Sequence, residues 1–314
     1  MRSIVLPSSL TNISAWAFEN TALTSVVVPS SLATVSEGAF YNCQNLKSAT
    51  INSNAYLAVN SFGKCTNLTD FYWTSTDENV TTPGYPFADN NPTVHAAPAI
   101  VEKLQAMEQM NTSSFDSNFP LTLAHGYATF SSACNLDISG CEGLTAYKGS
   151  YDADRDLVVF TPVTKIANYN GVLLKGEEGA TYTAKILDAG ADVDDFAGNQ
   201  MYAVVNPVWA TGAIDESGNA TDFIFYQNAF HPIAAPGYIA AGKAYLFISG
   251  GRNCTDTNKA ALAMTFEAGG ETGIAPVVAD GAANTGVYYN LCGQRVEHPQ
   301  HGVFILNGKK VVVK

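Results

Sequence analysis

Ala39-Phe40-Tyr41-Asn42-Cys43-Gln44-Asn45-Leu46 returns one period later as Ser61-Phe62-Gly63-Lys64-Cys65-Thr66-Asn67-Leu68. The Phe, the Cys and the Leu keep their places, while most residues between them change. Phe18 stands one equal step upstream of Phe40. Leu6-Pro7-Ser8-Ser9-Leu10 likewise returns as Val28-Pro29-Ser30-Ser31-Leu32. A fixed period of about 22 residues marks a stack of repeats, in which no copy buries its apolar face alone.

Within each copy the apolar residues lay out on a short strand. Leu23, Val26 and Val28 have an L-x-x-V-x-V spacing, and Leu46, Ala49 and Ile51, then Leu68, Phe71 and Trp73, follow at the same offsets. Residues two apart on a strand share a face, so Val26 and Val28 point inward together. Pro7 and Pro29 end their strands, because proline cannot donate to a ladder. A return segment follows, carrying Leu10, Ile13 and Phe18, then Leu32, Val35 and Phe40, then Leu57 and Phe62. Cys43 and Cys65 share one repeat position, filled by Thr21 in the first copy; a site that takes both residues is a small buried ladder position. Between the inward residues, Val5, Val27, Thr50 and Tyr72 form a column at the same period, with the step from Val27 to Thr50 longer by one. Stacking places them together on the opposite, exposed face of the sheet, where apolar and aromatic side chains can anchor a partner.

The A-F-x-x-C-x-x-L segments, with the V-P-S-S-L-x-x-V that precedes them, resemble BspA-like leucine-rich repeats. The first copy departs from the pattern in having Thr21 for Cys and a loop one residue shorter before Leu23. The resemblance covers residues 1 to about 118. It implies a bacterial surface protein, since members are mostly of that kind and some mediate adhesion. Thr74 to Pro92 then reads as a long polar excursion and Val94-His95-Ala96 as a last strand. Pro98 to Met110, with Ile100, Val101, Leu104 and Met107 at helical spacing, reads as a closing helix that covers the open end of the core. Asn111 to Asn118 reads as a linker.

From Phe119 the period is gone. Apolar runs such as Leu157-Val158-Val159-Phe160, Gly171-Val172-Leu173-Leu174 and Ala244-Tyr245-Leu246-Phe247-Ile248 alternate with Gly, Asn and Asp turns, the pattern of an antiparallel sandwich or barrel. Phrases such as Thr161-Pro162-Val163-Thr164-Lys165-Ile166 and Ala241-Gly242-Lys243-Ala244-Tyr245-Leu246 resemble a β-domain near the C-termini of surface proteins in Bacteroides-type bacteria. Glu267 to Asn284 reads as a linker. The ending Gly302-Val303-Phe304-Ile305-Leu306-Asn307-Gly308-Lys309-Lys310-Val311-Val312-Val313-Lys314 reads as a hairpin, because Asn-Gly suits a turn that needs two positive φ angles. That ending is similar to tails of secreted Bacteroidetes proteins. The expected organisation is therefore residues 1–118 as repeats with a helical cap, 119–268 as a β-sandwich-like domain, and 269–314 as linker and hairpin. The fold class is α+β, mainly β. Because the chain opens in the middle of a repeat with no signal peptide, it reads as a piece of a longer, exported protein.

Composition narrows the function. The chain of 314 residues is 46% hydrophobic and 14% charged, with a net charge of −12. Such a balance disfavours nucleic acid and anionic membrane surfaces, which call for clustered Lys and Arg. No apolar run approaches the ~20 residues of a membrane span. No CxxC pair supports zinc or redox chemistry. His298 and His301 flank a proline in a loop and read as solvated. His231 reads as packed. His125 and Cys134 lack a flanking nucleophile motif, and Cys134 and Cys141 are near enough in sequence for a disulfide in an oxidising compartment. Asp188, Asp192, Asp194 and Asp195, like Asp152, Asp154 and Asp156, lack calcium-loop spacing and read as solvated turns. Gly269 to Gly273 lacks the Lys of a phosphate loop. No cofactor, metal or catalytic residue is expected. The expected function is non-enzymatic recognition or adhesion at the cell surface or outside the cell, toward a host or microbial protein or glycan, through Val5, Val27, Thr50 and Tyr72. One rival is a carbohydrate-binding or weakly carbohydrate-active β-domain, for which exposed Trp209 or Tyr226 beside paired carboxylates would speak. Another is a purely structural stalk.

Overall fold

A computed structural model describes residues 2–81, 83–110, 113–211, 214–233, 235–254 and 261–267, together with strand residues 288–289, 295–296, 302–306 and 309–313. Among the described residues the chain is mainly β, with a single α-helix. Residues Met1–Pro276 form one compact unit and Val277–Lys314 another.

The repeat strands pair in parallel and in sequence order. Ser25–Val28, Ser48–Ile51, Asp70–Trp73, Thr93–Ala96 and Ser114–Asp116 form one five-stranded sheet. Val26, Val28, Ala49, Ile51, Phe71, Trp73, Val94 and Ala96 are all buried, as the alternation requires. On the return side Asn12–Ile13, Thr34–Val35 and Tyr56–Leu57 make a second parallel sheet, with Ile13, Val35 and Leu57 inside. Between the sheets runs an aromatic stack. Phe18 and Phe40 lie 5.2 Å apart and Phe40 and Phe62 5.0 Å apart, each pair 12° from parallel. The Cys ladder is also internal: the Cys43 thiol donates to the Phe18 carbonyl and the Cys65 thiol to the Phe40 carbonyl, each at 3.0 Å. The hydrogen bond with Cys43, together with burial, pushes the Cys65 thiol up, which keeps it a neutral donor.

The return segments turn through left-handed residues at two fixed positions. These are Trp16, Gly38, Asn60 and Tyr85 at the first, and Asn20, Asn42, Lys64 and Asp89 at the second. Gly38 is required at its place, because a Cβ there would come within 2.3 Å of the Trp16 ring. The two series reveal a fourth copy inside the stretch that reads as an excursion. The Asn60, Phe62 and Lys64 amides donate to the Tyr85, Pro86 and Ala88 carbonyls at 3.1, 2.9 and 2.8 Å. Phe87 enters the core in the Phe position, 4.8 Å from Phe71. An insertion makes the step from Phe62 to Phe87 longer than the step from Phe40 to Phe62, which hides the copy from a fixed-period reading.

The closing helix is shorter than the pattern predicts. It spans Pro98–Gln105 with Pro at its first turn, and a 3-10 turn follows at Glu108–Met110. Ile100, Leu104 and Met110 are buried. The stretch that reads as a linker holds the fifth sheet strand, Ser114–Asp116, so the helix bridges two strands of one sheet.

Among the described residues, the second half of the unit is built from four sheets. Tyr127–Phe130, Val172–Lys175, Thr145–Asp152, Leu157–Val163 and Ala263–Phe266 lie side by side in that order, all antiparallel except the last pair, which is parallel. This five-stranded sheet is buried on both faces. Ala146, Val163, Val172 and Leu174 join the core that is continuous with the repeats. Val158, Phe160 and Leu173 join a second core with Met201, Phe223, Phe230 and Leu246. Burial on both faces is why Val172-Leu173-Leu174 reads as a solid apolar run. A second sheet orders Lys165–Ile166, Asn135–Asp137, Thr181–Leu187 and Asn118–Thr122; a third orders Met201–Val204, Lys243–Asn253, Asn219–Tyr226 and Ala229–Pro232. Val208–Ala210 pairs with Gly237–Ile239. Cys134 and Cys141 are both free thiols.

In the second compact unit, Gly302–Leu306 pairs antiparallel with Lys309–Val313, with Leu306 opposite Lys309. The two residues left between them are Asn307 and Gly308, which themselves lie outside the described residues. Outside them too are Gly269 to Gly273, Cys292, His298, His301 and the linker beyond Glu267.

Phe40 is fully buried between two stacked rings. Phe40→Ala should therefore destabilise the chain by about 3–5 kcal/mol in equilibrium urea unfolding. A loss below about 1 kcal/mol would mean that the aromatic stack does not hold the repeats together.

Candidate functional site

Parallel register carries the column across the whole sheet. Val27 lies opposite Thr50, Thr50 opposite Tyr72, Tyr72 opposite His95, and His95 opposite Asp116. A neighbouring column on the same face runs Ser25, Ser48, Asp70, Thr93 and Ser114. One face is thus uniformly apolar and the other polar and varied. Val5 lies ahead of the first described strand and is 46% exposed, whereas Val27, Thr50 and Tyr72 are half-buried. On the face expected to be open, those three side chains are thus only partly exposed.

The reason for the burial of Tyr72 is visible at the far end. Its ring stacks on His95 with centroids 4.6 Å apart and 18° between planes, and it meets Phe119 at 5.4 Å. Phe119 in turn packs edge-on against Phe130 at 5.9 Å. The second half therefore reaches onto the repeat face. It makes further contacts along the same side of the stack. Asn52 donates to the Val205 carbonyl at 3.1 Å, and Asn206 donates to the Ser30 hydroxyl at 3.2 Å. The Asp188 carboxylate accepts from the Ala99 amide at 2.8 Å, at the N-terminus of the closing helix, where a negative charge is favoured. That carboxylate belongs to a helix cap, not to a solvated acidic turn.

His95 is 7% exposed and sits between two carboxylates. Its Nε2 lies 3.1 Å from Asp70 Oδ1 and its Nδ1 2.5 Å from Asp116 Oδ1. Asp116 also accepts from the Asn118 backbone amide at 2.9 Å and from the Asn118 side chain at 2.8 Å. Burial works against its charged form, but the bonds from Asn118 and His95 outweigh burial and hold the carboxyl below its ordinary value. Burial, reinforced by Asp70 and Asp116, pushes the Tyr72 hydroxyl upward. Tyr72 is thus a neutral, packed ring. His95 and Asp116 extend the strip beyond the sequence reading. The signal for His95 was present: it follows Tyr72 by the same step that separates Thr50 from Val27.

The other candidates resolve separately. His125 is exposed and lies 3.5 Å from Glu178, whereas Cys134 is buried and its thiol is pushed up to about 12 by that burial. Such opposite settings do not make an activated pair. His231 is half-buried, edge-on to Tyr226 at 6.2 Å. Asp152 binds Arg155, and Asp156 binds the buried Arg252 through Nε at 2.6 Å. Asp194 accepts from the Thr164 and Lys165 amides. No cluster of three metal-ligating side chains is present among the described residues. No helix among them is long and apolar enough to cross a membrane.

Because the folded chain holds Asp116 below its ordinary carboxyl value, the unfolded chain takes up that proton first as pH falls. The stabilisation is complete above about pH 4 and fades below it. Urea unfolding between pH 5 and pH 2.5 should show a steeper acid loss in the native chain than in Asp116→Asn. Identical slopes would remove Asp116 from the acid limb.

Comparison with known proteins accords with this geometry. No curated protein and no solved structure matches the chain. Residues 1–116 match six copies of the family described as BspA type Leucine rich repeat region. Those residues therefore carry BspA-type leucine-rich repeats.

Proposed function

We propose that this chain is a non-enzymatic recognition or adhesion protein of the cell surface or extracellular space, and that it binds a host or microbial protein or glycan through its repeats. On this reading residues 1–118 are turns of a leucine-rich-repeat solenoid with a helical cap, 119–268 are a β-sandwich-like base, and 269–314 are a linker and terminal hairpin. One observation carries the proposal. The polar sheet face presents an in-register column, Val27, Thr50, Tyr72, His95 and Asp116, that differs at every strand, while the buried face stays apolar throughout. Stacking alone asks for no such variety. Repeat proteins recognise partners through the variable residues of an extended face. The match to BspA-type repeats supports the same reading, since such repeats are typically non-enzymatic interaction surfaces of exported proteins.

The partner would land at the open end of the column. Tyr72 leans on Phe119 and His95 is nearly enclosed, whereas Val5 is exposed and Val27 half-exposed. The double variant Val5→Asp/Val27→Asp in the full chain places two charges there. After circular dichroism and urea unfolding have matched it to the native chain, it is titrated against an immobilised panel of extracellular-matrix proteins and glycans. At least one ligand retained by the native chain should bind about tenfold more weakly, or ~1.4 kcal/mol. Equal binding by the two would place the contact elsewhere.

A further inference from the structure

The second half of the unit contains a cleft of about 930 Å3, within the ~300–1,000 Å3 range of small-ligand sites. Several elements converge on it. The hairpin of Asn219–Tyr226 and Ala229–Pro232 turns through Gln227 and Asn228, and places Tyr226 opposite Ala229. Both turn residues are left-handed, with φ of 47° and 61°. Such a turn favours Asn and Gly, so Gln227 holds a strained conformation. Gln227, Asn228 and Tyr226 all line the cleft. The strand Gly237–Ile239 contributes Tyr238. Trp209, the direct cross-strand partner of Tyr238, braces that ring edge-on at 4.8 Å and 72°. Tyr127 lines the cleft too, packed on Phe225 at 6.2 Å with the Lys175 ammonium 6.0 Å from its ring. Glu178, also a lining residue, lies 3.5 Å from His125.

Tyr226 is 61% exposed, Tyr238 62% and Trp209 53%. Two large rings left mostly in water at one concavity, with a third exposed ring bracing one of them, are unusual for a face with no partner. Their chemistry selects the ligand. The C–H face of a pyranose ring is apolar and lies flat on an aromatic ring, while its hydroxyls need partners around the edge. Gln227 and Asn228 each offer a donor and an acceptor, and Glu178 offers two acceptors. A wholly apolar ligand would leave these groups desolvated and unpaired. An anionic ligand gains little, because Glu178 lies among the basic groups His125 and Lys243 at the lining, Lys175 lies by the Tyr127 and Phe266 rings, and the chain carries −12 overall. We propose that this cleft binds a neutral oligosaccharide, with Tyr226 and Tyr238 as stacking platforms and Gln227, Asn228 and Glu178 as hydroxyl partners. Among the described lining residues Glu178 is the one carboxylate, so the two-carboxylate arrangement of a glycosidase is not built there and the site binds without cleaving. This inference stands apart from the repeat face.

The test is an array of defined neutral, sialylated and sulfated oligosaccharides probed with the full chain, with every neutral glycan retained then titrated by calorimetry. Neutral glycans should be retained over the charged ones. Tyr238→Ala and Tyr226→Ala should each weaken binding about tenfold or more, and Tyr238→Phe should keep most of it. Both Tyr side chains are exposed, so their variants fold, and circular dichroism checks this. Val5→Asp/Val27→Asp should bind the same glycans as the native chain, which separates this site from the repeat face. Retention of charged glycans alone, of no glycan at millimolar concentration, or of neutral glycans equally well by both Tyr→Ala variants would each overturn the proposal.

Discussion

Stacking in register is the constraint on which the rest of this structure depends. A single turn of the repeat has an apolar side it cannot cover, so each turn must lie on the next with like residues in contact. Backbone bonds between turns set that register, as from the Phe40 amide to the Ser61 carbonyl at 2.8 Å and from Asn42 to Gly63 at 2.9 Å. Once register is set, the side chains form ladders. Phe rings stack, Cys thiols donate to carbonyls, and Asn42 donates to Asn20 on the outer edge. The left-handed residues of the return turns follow the same rule. They fall at the same places in each return turn even where the side chain is Trp16, Lys64 or Tyr85, which shows how far the stack overrides local preference.

A stack has ends, and the two ends of this one differ. At the far end the core does not stop at the helix. It continues through Leu121, Leu136 and Ala146 into the second half, while Tyr72 packs on Phe119 across the other face and Asn52, Asn206 and Asp188 supply hydrogen bonds between the halves. His95, enclosed between Asp70 and Asp116, satisfies both ring nitrogens in the same place. A buried polar group of this kind is tolerated because each nitrogen has a partner. The column on the polar face therefore serves two purposes along its length. Its far members fasten the repeats to the β-rich half, and its near members, Val27 and the preceding Val5, remain the more open ones.

The β-rich half solves a different packing problem. Its central five-stranded sheet is covered on both sides, with Leu173 on one core and Val172 and Leu174 on the other. The hairpin of Asn219–Tyr226 and Ala229–Pro232 buries Phe223 and Phe230 against it and leaves Tyr226, by its turn, exposed. Trp209, Tyr226 and Tyr238 stay at the surface, Tyr226 and Tyr238 lining a concavity with amide and carboxylate groups and Trp209 bracing Tyr238. Rigid strands holding exposed rings give a binding face at small entropic cost, since neither the backbone nor the rings must be ordered on contact.

Much of the repeat half was legible from spacing alone. The period named the inward residues Leu23, Val26, Val28, Ile51, Phe62 and Trp73 and the internal Cys ladder, because stacking forces chemical identity at fixed intervals, and the helical spacing of Ile100, Leu104 and Met107 named the helix after Pro98. The fourth copy was not legible, since an insertion carried Phe87 past the regular step from Phe62 and the Cys position was taken by Asn90. Nor was the strand Ser114–Asp116, whose short polar sequence becomes a strand only because Thr93–Ala96 presents an open edge. In the second half the apolar runs marked strands but not their neighbours: that Leu157–Val163 pairs in parallel with the distant Ala263–Phe266 depends on contacts no local pattern records. The amino-acid sequence by itself determined the repeat, its ladders and which face of each strand is apolar, because these are periodic and local. Only the tertiary structure decided that Phe119 covers Tyr72, that His95 lies between two carboxylates and that Tyr226 and Tyr238 share a cleft, because each joins residues whose separation along the chain says nothing about their distance in space.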